Sequence, residues 1–279
     1  MDIKKISQEE FATLPNDEME YASSLYASQM VEEAFKMLAA ACSFAQGCNF
    51  DEMLEELHED AELFARNMDN PAFKRVVKRL YEHGVACGHA GLCCNLGNLY
   101  HETDGTGSKE DYARAVELYE LGVDRGDDQS SINLGYIYYY GRGTAVDYAR
   151  AYECFARAAL ASTNSEAFWK LGDLYASGKG VRKSDAMAWK LYRKAYAFAG
   201  DSPLVARAAQ HLADYAMKGI KGVVDVDYAQ ALRLYNEAEI GYYTLIRSGL
   251  TYYQRQLNQA IEGQSTARAN LQMSGMTLS

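Results

Sequence analysis

The sequence predicts an all-α protein, an α/α superhelix (solenoid) of stacked antiparallel helix pairs. Three observations carry this. A motif recurs at nearly fixed spacing: Leu96-Gly97, Leu134-Gly135, Leu171-Gly172 and Leu212-Ala213 begin 38, 37 and 41 residues apart. Units with such a period cannot bury their apolar face alone and must stack on one another. A tyrosine follows the first three motifs by one helical turn (Tyr100, Tyr138, Tyr175), and a glycine turn follows in every copy. Only three prolines occur in 279 residues, so long helices meet few breaks.

Residues 1–15 read as a flexible lead-in, with Ser7 and Glu10 spaced as a capping box and Pro15 as its stop. A helix is expected from Asn16 to Gly47, with Leu25, Met30, Val31, Phe35, Leu38 and Cys42 on its apolar stripe. A second runs from Asn49 to Arg66, and Pro71 opens a third through Tyr81 to Ala86. Tyr81 precedes Tyr119 by 38 residues, so residues 16–90 are read as N-terminal capping helices with a degenerate repeat.

Residues 91–240 hold four repeats. In each, a first helix carries the Leu-Gly motif, and the small residue lets a neighbouring helix come close. Gly in a helix interior costs roughly 1 kcal/mol against Ala, so close packing must offset it. The first glycine of each turn (Gly105, Gly141, Gly178, Gly219) suits the left-handed residue that ends a helix. Asp111, Asp147 and Asp227 are placed to cap or charge the start of the second helix. The second helix then carries a packing alanine and an aromatic: Ala115 and Tyr119, Ala151 and Phe155, Ala188 and Tyr192, Ala231 and Tyr235. Asp201-Ser202-Pro203 reads as a loop with Ser202 as N-cap and Pro203 in the first helical position, which explains the longer last interval. A capping helix is expected over 241–262 and a flexible tail over 263–279, so a large side chain at Gly263 should be nearly silent while Gly135→Leu should be severe.

These residues resemble the Sel-one-like repeat family, relatives of the tetratricopeptide repeats. The third copy shows it best, with Ala167, Leu171-Gly172, Tyr175, Gly178-Lys179-Gly180-Val181, Ala188, Tyr192 and Ala195. The first copy departs by two extra residues in its turn, and the fourth has Ala213 for Gly and Ala216 for Tyr. The resemblance implies a right-handed superhelix and an adaptor in protein complexes. Some secreted members staple each repeat with a disulfide; here Cys42, Cys48, Cys87, Cys93 and Cys94 cluster in the first third, so that pattern is missing.

Charge narrows the partners. The net charge is −10, and residues 16–62 hold twelve Asp and Glu against Lys36 alone. No nucleic acid is expected as a partner, since binding a phosphate backbone requires a basic face. No signal peptide, membrane anchor or membrane-surface helix is read, and the expected setting is the cytoplasm, as a bacterial protein. No cofactor and no metal are expected. His58 and Glu62 miss the helical zinc pair, and Cys87, His89, Cys93 and Cys94 fall on different helix faces. The glycine turns follow helices, so they are not nucleotide loops. No catalytic pair can be named; a hydrolase of cell-wall or β-lactam compounds is the minority reading, and an exported effector adaptor another.

The expected function is a non-enzymatic scaffold that binds a protein or extended peptide in its concave groove, with a homodimer through that groove or the caps as the alternative. In tetratricopeptide-like arrays, four positions around the repeat Leu of the first helix line the groove. The resemblance therefore points to Cys94, Asn95, Asn98 and His101; Ile132, Asn133, Tyr136 and Tyr139; Trp169, Lys170, Asp173 and Ala176; and Gln210, His211, Asp214 and Met217. Tyr136, Tyr139 and Trp169 are the expected anchors, with Asn95, Asn98, Asn133, Lys170, Asp173, Gln210 and Asp214 holding polar groups. Asn98, Asn133 and Lys170 also resemble part of the carboxylate clamp of chaperone-binding tetratricopeptide domains, but Cys94 replaces its lysine.

Overall fold

A computed structural model describes residues 71–101, 108–200 and 202–274. The helices expected over 16–66, Cys42, Cys48 and the first repeat's turn glycines lie outside them.

The described residues form ten α-helices: α1 (Pro71–Ala86), α2 (Ala90–His101), α3 (Lys109–Asp124), α4 (Asp128–Tyr140), α5 (Tyr148–Ala161), α6 (Ser165–Ser177), α7 (Asp185–Ala199), α8 (Val205–Lys218), α9 (Tyr228–Arg247) and α10 (Gln254–Met273). A short 3-10 helix, Thr251–Tyr253, precedes α10. Helices pair as α2–α3, α4–α5, α6–α7 and α8–α9, and each pair packs on the next. This is an α/α solenoid. Among the described residues there is no strand, only one isolated antiparallel bridge between Ile220 and Val224, and no helix is long and apolar enough to cross a membrane.

The Leu-Gly motif has a steric cause. A Cβ on Gly135 would stand 2.7 Å from the Phe155 ring, and one on Gly172 would stand 2.5 Å from the Tyr192 ring. The pair closes only because the first helix presents bare backbone to the aromatic of the second. The second turn glycine also has a cause that the sequence reading left open. Gly143 and Gly180 have φ of 67° and 70°, and a Cβ there would lie 2.2 Å from Tyr112 and 2.5 Å from the Tyr148 carbonyl. Each turn is thus seated on the start of the preceding repeat's second helix.

The helix starts follow side-chain caps. Asp147 and Asp227 cap α5 and α9, and Ser184 caps α7. Asp111 is not the cap of α3: it sits at the third position of a capping box whose cap is Ser108. The start expected at Pro203 also moves. Ser202 Oγ accepts from the Leu204 amide at 3.3 Å in a tight turn, and α8 begins at Val205.

The C-terminal expectation needs the larger correction. The helix expected over 241–262 is broken: α9 runs on to Arg247, and Gly249 turns with φ of 100° before the 3-10 helix. The tail from 263 is helical to Met273, not loose. The burial of Leu257, Ala260, Gln264, Ala267 and Leu271 explains why, since they recur every three or four residues and face α9. The small and polar side chains of Ala260, Gln264 and Ala267 hid the stripe from composition. Gly263 is correspondingly crowded: a Cβ there would lie 2.4 Å from the Tyr235 ring, so the position is not silent.

Candidate binding site

Three of the four repeats close with a hydrogen bond beside the small residue that follows the repeat Leu. Tyr119, Tyr192 and Tyr235, from the second helices, donate to Asn98 Oδ1 at 2.7 Å, Asp173 Oδ1 at 2.8 Å and Asp214 Oδ1 at 2.6 Å. All three acceptors stand two residues after the repeat Leu. The second repeat breaks the rule. Its second-helix aromatic is Phe155, which has no hydroxyl, and its acceptor position is Tyr136, which packs edge-on against Phe155 at 5.5 Å. Released from the repeat bond, the Tyr136 hydroxyl donates across to the Glu166 carboxylate.

These bonds engage polar groups that the sequence reading assigned to a ligand. Asn98 Oδ1 also accepts from Asn133 Nδ2 at 2.9 Å, and Asn133 Nδ2 reaches Cys94 Sγ at 3.3 Å. Gln210 Oε1 accepts from the Tyr242 hydroxyl at 2.7 Å. Asn98, Asn133, Asp173, Gln210 and Asp214 therefore meet internal partners first. Asn95 is half-buried on the same helix as Asn98. Cys94 and Ile132 are buried in the core with Tyr119 and Phe155, so they do not line a groove.

Lys170 is only 2 % exposed. Its ammonium lies over four rings, with centroid distances of 4.8 Å to Tyr136, 4.5 Å to Tyr139, 5.1 Å to Tyr140 and 4.4 Å to Trp169. Its one direct hydrogen bond goes to the Tyr140 hydroxyl at 3.2 Å. Burial pushes its pKa down to about 8, against the pull of Asp173. Asp173 carries the complementary balance. Burial raises its pKa, but the bond and charge of His211, the Lys170 charge and the Tyr192 hydroxyl outweigh that and leave it low. Asp214, at the same repeat position, ends above the usual value because burial dominates there.

Two cavities open on the face built by α4, α6 and α8. One, of ≈360 Å³, is lined by Tyr139, Asp173, Ala176, His211, Asp214 and Lys218, among others. There the His211 Nε2 is 3.2 Å from Asp173, and its ring stacks on Tyr192 at 4.4 Å. The other, of ≈420 Å³, is lined by Tyr136, Tyr140, Arg142, Glu166, Trp169, Arg207, Tyr252 and Tyr253. The Arg207 guanidinium lies 4.5 Å from the Trp169 ring and 5.2 Å from that of Tyr253. The Lys170 cage stands between the cavities, since Tyr139 lines the first and Tyr136, Tyr140 and Trp169 the second.

The structure thus brings Tyr136, Tyr139, Trp169, Lys170, Asp173 and Asp214 to one place. It gives Trp169 a largely buried wall position, 5 % exposed, instead of an open anchor. Sequence reasoning missed Tyr140, Arg142, Glu166, Arg207, Tyr252 and Tyr253. A signal for the last two existed: Ser248-Gly249 is a turn dipeptide, and the chain doubles back there to set the 3-10 helix against α9 and over Arg207.

The chain is similar to known proteins. Residues 92–127, 129–162, 165–197 and 206–239 match the Sel1 repeat. The ERAD-associated E3 ubiquitin-protein ligase component HRD3A of Arabidopsis thaliana is 34% identical over 106 residues, covering 38% of this chain and 14% of that protein. The HRD3B component of the same plant is 29% identical over 120 residues, covering 43% and 18%. The chain therefore spans less than a fifth of the length of these curated relatives. Among solved structures, a Sel1 repeat protein from Oxalobacter formigenes aligns with a TM-score of 0.50 at 22% identity, covering 73% of this chain and 84% of that one. A protective antigen of uropathogenic Escherichia coli with an SLR fold aligns with a TM-score of 0.53 at 23% identity, covering 95% and 57%. At these identities the two structures show the fold alone.

Proposed function

The chain belongs to the Sel1 repeat family, whose members generally serve as protein-interaction scaffolds, and on that premise we propose that it is a non-enzymatic adaptor. It holds a peptide or protein segment along the face made by α4, α6 and α8, in a cytoplasmic setting. The supporting observation is the pair of adjoining cavities on that face, walled by tyrosines and by charged groups from three consecutive repeats. Tyrosine and arginine dominate the few residues that carry most binding energy at protein interfaces. Tyr139 and Tyr140, half-buried and 49% exposed, offer ring area without needing the core to open.

Site-specific photocrosslinking tests the reading. A photoreactive residue at Lys218 or Ala176, on the cavity wall, is expected to capture a discrete partner in native extract. The same residue at Leu160, 89% exposed on the second helix α5, is expected to capture none. Capture from Leu160 alone would place the interaction elsewhere.

A further inference from the structure

We propose that the ≈420 Å³ cavity is a carboxylate site, which takes a carboxylate of the bound segment together with the apolar side chain beside it; this rests on the scaffold reading above. Three cations converge there. Arg142 and Arg207 line the cavity, and Lys170 stands directly behind its Tyr136, Tyr140 and Trp169 wall. None of the three forms an ion pair with a described carboxylate; the pairs among the described residues are Arg114–Glu117, Arg150–Asp147 and His211–Asp173.

Each cation is held in place by a direct contact with a group other than a carboxylate. Arg142 Nη1 lies 3.0 Å from His101 Nε2, a neighbour whose own pKa is lowered by burial and by the Arg142 charge. The Arg207 guanidinium lies against the Trp169 and Tyr253 rings, and its Nε is buried without a hydrogen-bond partner. An unmet buried donor is costly, and a planar guanidinium is the group that best meets a carboxylate with two parallel bonds. Lys170 donates to the Tyr140 oxygen at 3.2 Å, which leaves the Tyr140 proton available to donate in turn.

The charge count selects the ligand. Among the residues that line the cavity, Arg142 and Arg207 give two positive charges and Glu166 one negative; Lys170 behind the wall lies towards Asp173, which pairs with His211. One positive charge is left over, which one carboxylate neutralises. Glu166 accepts from Tyr136 and forms no ion pair with an arginine among the described residues. Trp169, Tyr136 and Tyr252 supply apolar area next to that charge. Asn98 and Asn133 take no part, being bonded to each other.

The carboxylate comes from a chain terminus or from an acidic side chain, and three short peptides separate these on the full-length protein. The probes are acetyl-Leu-Phe with a free C-terminus, acetyl-Leu-Glu-Phe-amide, and the neutral acetyl-Leu-Phe-amide. The readout is the Trp169 indole NH signal, assigned by a Trp169→Phe control; the chain has only two tryptophans. A saturable shift with the first peptide assigns a terminal carboxylate, and with the second a side-chain carboxylate. Binding at least about tenfold weaker in Arg142→Gln or Arg207→Gln is expected, since charged hydrogen bonds carry about that much. Arg142 is exposed on a turn, so its variant keeps the fold. An equal shift with the neutral peptide, no saturation with either acid, or full affinity in both variants overturns the proposal. Crosslinking through Lys218 is read separately. A groove that holds its partner without this contact is thereby told apart from a face that binds nothing.

Discussion

The Lys170 cage sets a pH dependence that can be worked out in advance. Its pKa is about 8 in the folded chain against an ordinary 10.5, and that gap corresponds to about 3.4 kcal/mol at 1.36 kcal/mol per pH unit. The folded value is the lower one, so between these pH values the unfolded chain binds more protons, and stability rises with pH. Below pH 8 Lys170 is charged in both states and contributes no slope. Integrating from pH 8 to 9.5 gives a gain of about 1.5 kcal/mol. Above that, tyrosines of the unfolded chain begin to ionise while buried ones such as Tyr136 and Tyr192, raised first by burial, do not, and stability falls again. Lys170→Met keeps the side-chain length and removes the titration. The measurement is urea denaturation of both proteins at pH 7, 8, 9 and 9.5, followed by circular dichroism. Wild type should gain about 1.5 kcal/mol on the variant over the upper interval, with other titrating groups cancelling. Parallel curves would mean that the ammonium stays solvated and that the four-ring cage does not close around it.

Three other outcomes are expected. Tyr192→Phe removes a bond to a charged acceptor and should cost about 1.5–3 kcal/mol, while Tyr119→Phe removes one to an amide and should cost about 0.5–1.5 kcal/mol; denaturation midpoints in the reverse order would contradict the repeat bond. Gly263→Ala should lower stability by about 1 kcal/mol or more, because overpacking against Tyr235 exceeds the helix-propensity gain, while Gly91→Ala, with open space around it, should raise stability by up to about 1 kcal/mol. Asp173 has a depressed folded pKa, so its contribution is present above the ordinary carboxylate value and is lost as pH falls through the folded one. A His211→Gln variant should weaken that acid dependence in melts taken between pH 5 and 2.

Much of the fold was legible because its determinants are local and repeated. Leu134-Gly135 with Phe155, and Leu171-Gly172 with Tyr192, encode one contact, an aromatic ring on bare backbone, and the interval between copies encodes the stacking. Asp147 and Asp227 announce the helices they cap. The C-terminal half of α10 was missed because, between Leu257 and Leu271, its buried positions are Ala260, Gln264 and Ala267, side chains too small or polar to register as amphipathic. The cavity was only half legible for a different reason. Tyr136, Trp169 and Lys170 belong to the repeat register, but Arg207 and Tyr253 are 46 residues apart and meet only because the chain reverses at Gly249.

A repeat protein carries its own comparison set, and the departures within it point to the site. At the position two after the repeat Leu stand Asn98, Tyr136, Asp173 and Asp214; on the facing second helices stand Tyr119, Phe155, Tyr192 and Tyr235. Three pairs join an acceptor to a hydroxyl, and one joins two rings. Wherever the hydroxyl is present, the acceptor is spent on closing the helix pair and is a poor candidate for a ligand. Where it is lost, at Phe155, the partner position is freed from that duty, and Tyr136 turns its hydroxyl to Glu166 of the next repeat and its ring to Lys170. The cavity opens beside this one irregular pair. Phe155→Tyr with Tyr136→Asn would restore the regular bond in the second repeat. The double variant should hold its stability, because it regains the closing hydrogen bond, while losing one wall of the Lys170 cage and of the cavity beside it. Partner crosslinking through Lys218 that persists at wild-type strength in that variant would separate the irregular pair from binding.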